Sequence, residues 1–315
     1  MNRLLAVLIL ALAGTFQWGC GSKAAPSSPG SSSPTYNYSF LHLIGDYGVG
    51  GSANGQLSSP AQLAIYNNTL FVANAGTNSL EKFDLNGNFL ATGAVAGASD
   101  IWGLAIYNGV LFVGDFGNNN IYKYDINLNS LGAFTPSITP NEPTDLATDS
   151  TGRIYMANDG NDTLERCNNN GASCVTVGGV GTAVGMFSSN GNFGIAVDPS
   201  GNVYATDQGN GRVEKFNSSM ASPSAIILPG TASGSVSAPT AIGVDKNGNL
   251  LVSDSPVAGT SRVQTFTPTG GYLATITAPA GYPFSNYNLL GFAFDSGNNV
   301  YISDYDNAVV FKYAP

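Results

Sequence analysis

Short apolar runs rich in Val, Ile, Tyr and Phe alternate along this chain with clusters of Gly, Asn, Asp and Ser, the pattern of β-strands separated by tight turns. One stretch shows it whole. Gly194-Ile195-Ala196-Val197 leads through Asp198-Pro199-Ser200-Gly201-Asn202 into Val203-Tyr204-Ala205-Thr206-Asp207, and a second turn ending at Gly211 leads into Arg212-Val213-Glu214-Lys215-Phe216. The frame recurs with the small residue of its first strand at Ala64, Ala105, Ala147, Ala196, Gly243 and Ala293. These six copies, spaced by 41, 42, 49, 47 and 50 residues, have the period of a four-stranded propeller blade with loops of variable length. The pattern predicts an all-β fold, a six-bladed β-propeller of four-stranded antiparallel blades over residues 36–315.

Finer spacing supports the frame. The second strand ends in Asn74, Asp115, Asn158, Asp207, Asp254 or Asp304, and a third strand opens six residues later at Leu80, Ile121, Leu164, Val213 and Val310. The fifth copy needs nine residues to reach Val263, which places an insertion between Ser255 and Arg262. An aromatic follows at Phe83, Tyr124, Phe216, Phe266 and Tyr313, with Cys167 in that place in the third copy. Tyr66-Asn67-Asn68-Thr69 and Tyr107-Asn108-Gly109-Val110 suit two-residue type I′ hairpins. Asp149 to Gly152, Asp198 to Gly201 and Asp245 to Gly248 suit a type I turn closed by a left-handed Gly. The last copy stops after its third strand, so Tyr38 to Ile44 is predicted to supply the fourth strand of blade six and close the ring.

The repeat resembles the NHL family, whose unit runs Gly-Ile-Ala-Val-Asp, a Gly-Asn turn, an apolar strand ending in Asp, then Asn, Arg and an aromatic-tipped strand. The fourth copy matches nearly throughout, the fifth and sixth well, and the first three with Asp or Arg positions partly replaced. The resemblance implies the propeller fold and leaves activity open, because one fold hosts many functions. Related propellers include metal-dependent lactonases, amidating lyases and the streptogramin lyase.

The first residues read differently. Arg3 precedes an apolar run from Leu4 to Gly14 that is too short to span a bilayer, which predicts a secretory signal over 1–19. Gly19-Cys20-Gly21-Ser22 resembles a bacterial lipobox, with Cys20 as the lipidated mature N-terminus, although Gln17 and Trp18 depart from the usual Leu and small residue. Cleavage near Ala11-Leu12-Ala13 is the alternative and gives a freely secreted protein. Residues 20–35 form a Ser/Pro/Gly tether. The expected location is therefore the cell envelope, with membrane contact only through a lipid on Cys20. In an oxidising compartment Cys167 and Cys174, separated by a polar turn, are expected to form a disulfide. Zinc would need two further ligands, and the sole histidine, His42, is distant in sequence.

Eleven basic against 20 acidic residues give a net charge of -9, which argues against nucleic acid as a partner. Lys82, Lys123, Arg166, Lys215 and Lys312 occupy equivalent third-strand positions, so they read as scaffold and not as a basic patch. Residues entering the innermost strands, Gln62, Trp102, Asp145 and Phe193 with Thr240 and Leu290, should ring the channel mouth on the face that also carries the loops at Asp115, Asp207 and Asp304. Trp102 and Phe193 either stack on a sugar or peptide or plug the top of the core. The repeated Asp or Asn is expected to hydrogen-bond its own turn. One imidazole cannot build a His-ligated metal centre or a Ser/His/Asp set, and no cofactor is expected. The leading expectation is a non-catalytic module binding a protein, peptide or glycan. The competing one is a hydrolase or lyase using channel-mouth carboxylates, Asp145 with Glu142, and a divalent ion.

Overall fold

The computed structural model describes residues 36–189, 194–257 and 260–315, so Cys20, Phe193, the expected signal and the tether through residue 35 lie outside the described residues. Among the described residues the chain forms twenty-four strands, β1 (Ser39–Ile44) and six sets. Blade 1 holds β2 (Pro60–Tyr66), β3 (Thr69–Asn74), β4 (Ser79–Asp84) and β5 (Phe89–Ala94). Blade 2 holds β6 (Ile101–Tyr107), β7 (Val110–Asp115), β8 (Asn120–Asp125) and β9 (Ser130–Phe134). Blade 3 holds β10 (Pro143–Thr148), β11 (Ile154–Asn158), β12 (Thr163–Cys167) and β13 (Val175–Gly178). Blade 4 holds β14 (Ile195–Val197), β15 (Val203–Asp207), β16 (Arg212–Phe216) and β17 (Ser224–Ile227). Blade 5 holds β18 (Pro239–Val244), β19 (Leu250–Val257), β20 (Thr260–Phe266) and β21 (Tyr272–Ile276). Blade 6 holds β22 (Leu289–Phe294), β23 (Val300–Asp304) and β24 (Val309–Ala314).

Each set is one antiparallel sheet, and the sixth has the order β1-β24-β23-β22. The strand before the first copy therefore completes the last blade, from Ser39 opposite Ala314 to Ile44 opposite Val310. The innermost strands touch in sequence around the ring, β2 to β6, β10, β14, β18, β22 and back to β2.

The apolar core is divided into six slabs, one at each seam between neighbouring blades. The second strand of every blade lies between two such slabs. That is why Val203–Asp207 is buried at every position while the outermost strand of blade 1 alternates between half-buried and exposed. The hairpins follow their turn residues: Asn67 and Asn68 both have positive φ (48° and 59°), as do Asn108 and Gly109 (47° and 76°). The longer turns put Gly152, Gly201 and Gly248 in the left-handed region (φ 81° to 85°). In blade 5 the inserted residues lengthen the β19–β20 hairpin, with Val257 opposite Thr260.

The third-strand cations staple the seams. Lys82, Lys215 and Lys312 lay their ammonium groups 5.1 to 5.5 Å from the ring centres of Phe71, Tyr204 and Tyr301. Lys82 Nζ donates to the Ile126 carbonyl of the next blade at 2.6 Å, Arg166 Nη1 to Ser218 at 2.7 Å, Lys215 to Pro268 at 3.3 Å and Lys312 to Leu85 at 2.6 Å. These groups serve as scaffold, and their charges are spent on backbone carbonyls.

Cys167 and Cys174 are disulfide-bonded across the outer turn of blade 3, with Cys167 buried in the slab shared with blade 2. Constraint of so short a loop is worth about 2.5 kcal/mol on the loop-entropy estimate. The Cys167→Ser, Cys174→Ser double variant is therefore expected to melt roughly 5 °C lower in calorimetry. An unchanged melting temperature would show that packing alone holds this blade.

Candidate functional site at the channel mouth

The face carrying the turns between second and third strands, here called the top, receives the strand that enters each blade. Gln62, Trp102, Asp145, Thr240 and Leu290 converge there with Ala61, Thr144 and Gly194 around a neck of about 20 Å³. Below the neck the channel widens to about 500 Å³ between apolar walls such as Leu63, Leu104, Leu146, Val197, Val244 and Phe292, and the turns at Asp149, Asp198 and Asp245 also line it.

The neck is bridged from blade 1 to blade 3. Gln62 Nε2 donates to Asp145 Oδ1 at 2.6 Å, Leu146 N–H donates to the same oxygen at 2.7 Å, and Ile195 N–H of blade 4 donates to Oδ2 at 2.9 Å. Burial pushes the Asp145 carboxyl up to about 7 against the pull of these three donors. Glu142 is not drawn into this group: its N–H binds Asn119 Oδ1 at 2.6 Å, and its charge acts on Asp159. Burial, then the charges of Asp162 and Glu142, raise Asp159 to about 7. Among the described residues no set of three or more His, Cys, Asp or Glu side chains is arranged to hold a metal ion.

Asp115, Asp207 and Asp304 stand apart from the neck, fully buried and each committed to its own blade. Asp115 accepts the N–H groups of Ser99, Asp100 and Asn118. Asp304 accepts those of Ser285 and Asn307. Asp207 accepts Ser188 N–H at 3.1 Å and Arg212 Nε at 2.9 Å, and Arg212 also reaches Glu214 Oε1 at 2.7 Å. Asp254 repeats the pattern with Ser237, Ala238 and Arg262. Turn capping is thus only half of the role. The same carboxylate fastens the loop that enters the blade, which sequence spacing alone does not show.

Trp102 has neighbours that the repeat frame did not single out. Its ring stacks on Phe116 at 5.4 Å and 28° and meets Tyr305 of blade 6 at 5.8 Å and 42°, and all three are half-buried. The Trp102 indole N–H is buried and faces the Asp100 carboxyl without a hydrogen bond of full geometry. Burial raises the Asp100 carboxyl, the Trp102 indole pulls it back in part, and the Asp115 charge adds to the rise. Tyr305 is raised by burial, held back by Ser59, and pushed further by Asp100 and Asp306. A signal for the pair was present. Phe116 and Tyr305 follow the second-strand Asp in copies two and six, where the other copies carry Ala75, Asp159, Gln208 and Ser255.

Fold and mouth together define a six-bladed β-propeller with a bridged channel neck and an aromatic cluster beside it. No protein family known from sequence matches the chain, and no curated protein matches it. Solved propellers do. A Bacteroides thetaiotaomicron protein of unknown function is similar at 14% identity and TM-score 0.68, over 87% of this chain and 75% of its own. A gluconolactonase from Xanthomonas campestris is similar at 14% identity and TM-score 0.63, over 90% of this chain and 98% of its own. A chain of a nidogen/laminin complex is similar at 17% identity and TM-score 0.58, over 77% of this chain and 88% of its own. At such identities the likeness is one of fold, and the set includes both an enzyme and a chain of a protein complex.

Proposed function

We propose that this chain is an exported, lipid-anchored propeller of the NHL type that acts as a non-catalytic binding module, taking a protein, peptide or glycan on its top face. The observation that carries the reading is where the repeated second-strand carboxylates and the carboxylate of the neck are spent. Asp115, Asp207, Asp254 and Asp304 each hold loops of their own blade, and both oxygens of Asp145 are occupied by N–H donors. What the mouth offers a visitor is a cluster of half-buried rings, which suits recognition by stacking and shape. The orientation agrees with a tether on Cys20. Ser39 begins β1 at the end opposite the top-face turns, and Tyr36 accepts a 3.3 Å hydrogen bond from Asn249 in a lower turn of blade 5.

The test is capture of envelope proteins, peptides and glycans by the full-length chain against Trp102→Ala and Tyr305→Ala. Both variants are expected to lose what the wild type retains, by at least tenfold in apparent affinity. Equal capture by wild type and variants would overturn the top-face reading, and turnover of a bound ester or lactone abolished by Asp145→Asn would replace it with the hydrolase or lyase alternative.

A further inference from the structure

We infer that the cluster of Trp102, Phe116 and Tyr305 is a cation-recognition site for an arginine or lysine side chain presented by a basic peptide segment. The inference deepens the binding reading above and rests on it. Its first ground is geometry. Three rings from two blades that are not neighbours meet beside the channel neck, each with part of its surface open. An indole or phenol face attracts a guanidinium or ammonium through its quadrupole, and the attraction grows where water is partly excluded.

The second ground is charge. The charged groups that act on Tyr305 are Asp100 and Asp306, both negative, and the one that acts on Asp100 is Asp115, again negative. The cations among the described residues are committed elsewhere or sit on other parts of the ring. Lys82, Arg166, Lys215 and Lys312 staple seams along the third strands, and Lys246 and Arg153 belong to lower turns. Arg212 and Arg262 are fixed to Asp207 and Asp254. Lys123 lies on the outer side of blade 2, against Asn169 and Leu131. The aromatic cluster therefore sits in a field of one sign on a chain whose net charge is -9. A neutral sugar would gain the stacking and nothing from the field, whereas a cation gains both. A planar guanidinium fits beside rings held at 28° and 42° to one another better than a bulky sugar face, and the charges of Asp100 and Asp306 add to the attraction.

The test uses the full-length chain and tetra-arginine, tetra-lysine and tetra-glutamate peptides. Trp102 is one of two tryptophans and the other, Trp18, lies outside the described residues, so the part of the emission change that Trp102→Leu removes reports occupancy. Tetra-arginine is expected to change that emission saturably and to bind at least tenfold more tightly than tetra-glutamate. Asp100→Asn, which removes the charge and keeps an oxygen acceptor beside the Trp102 indole, should weaken it severalfold and flatten its salt dependence. Asp125→Asn, the same charge change in an outer turn of blade 2, should leave it unaltered. Trp102→Leu should reduce binding by about tenfold with the melting temperature recorded alongside. Equal loss in Asp100→Asn and Asp125→Asn, or saturable binding of tetra-glutamate, would overturn the cation assignment. The two readings fail separately. If Trp102→Ala abolishes capture of a neutral or anionic ligand that tetra-arginine does not displace, the binding module stands and the cation site falls. If no ligand of any charge depends on Trp102, both fall.

Discussion

A chain lacking residues 36–44 is expected to lose its single cooperative unfolding transition and to self-associate, the largest effect any local change here should produce. β1 is the only strand of blade 6 that comes from the other end of the chain, and it covers β24 along its length. Without it β24 becomes a bare edge of alternating Val, Phe and Tyr, the kind of surface that pairs with another copy. Packing is lost with the hydrogen bonds. Phe40 meets Phe311 and Tyr313 edge to face at 6.3 and 5.6 Å, and Ile44 is 1% exposed in the slab between blades 6 and 1. Ile44→Ala is the graded version, expected to cost about 2 to 4 kcal/mol. Urea unfolding by two probes together with size-exclusion chromatography checks both. The truncated chain should show a split transition and larger species, and a monomer with the wild-type midpoint would mean that the ring does not need its closing strand.

That closure was legible because counting strands left the last copy one short and the first copy preceded by one to spare. Blade number, the Asn and Gly hairpins and the disulfide turn were legible for the same kind of reason: each depends on residues near one another in sequence. The mouth was legible only in outline. Gln62 and Asp145 fall at one repeat position and Trp102 one place before it, so their convergence could be read, but that Gln62 bonds Asp145 across the channel depends on the ring diameter, which no local pattern encodes. The same holds for the meeting of Trp102 with Tyr305, which stand 203 positions apart in the sequence. The seam staples were half legible. The recurrence of a cation at one third-strand position marked Lys82 and its equivalents as scaffold, while the carbonyl that Lys82, Arg166, Lys215 and Lys312 each reach belongs to the next blade and emerges only when blades pack.

Asp145→Ala is expected to destabilise the folded chain by about 3 to 5 kcal/mol, because it strips the acceptor from three donors at once. Leu146 N–H, Ile195 N–H and Gln62 Nε2 would be left in a neck of about 20 Å³, where there is little room for water to replace the carboxylate. Asp145→Asn keeps the volume and isolates the titration. The folded value of about 7 lies above the ordinary 3.8, so the folded state holds this proton more tightly than the unfolded chain does. Stability from this group is complete below pH 4, declines as pH rises towards 7, and is lost beyond it. Asp159, Glu165 and Glu214, each raised to about 7 chiefly by burial, push in the same direction. Asp149 opposes them only at lower pH, since bonds from Thr151, Arg153 and Tyr155 overcome burial and hold it at about 2. The wild type should therefore be more resistant to urea at pH 5 than at pH 8. Asp145→Asn should remove one group's share of that slope, at most about 1.4 kcal/mol per pH unit. A wild-type midpoint that rises from pH 5 to pH 8, or a slope untouched by Asp145→Asn, would show that the three N–H donors outweigh burial and that the channel bridge carries a permanently ionised carboxylate.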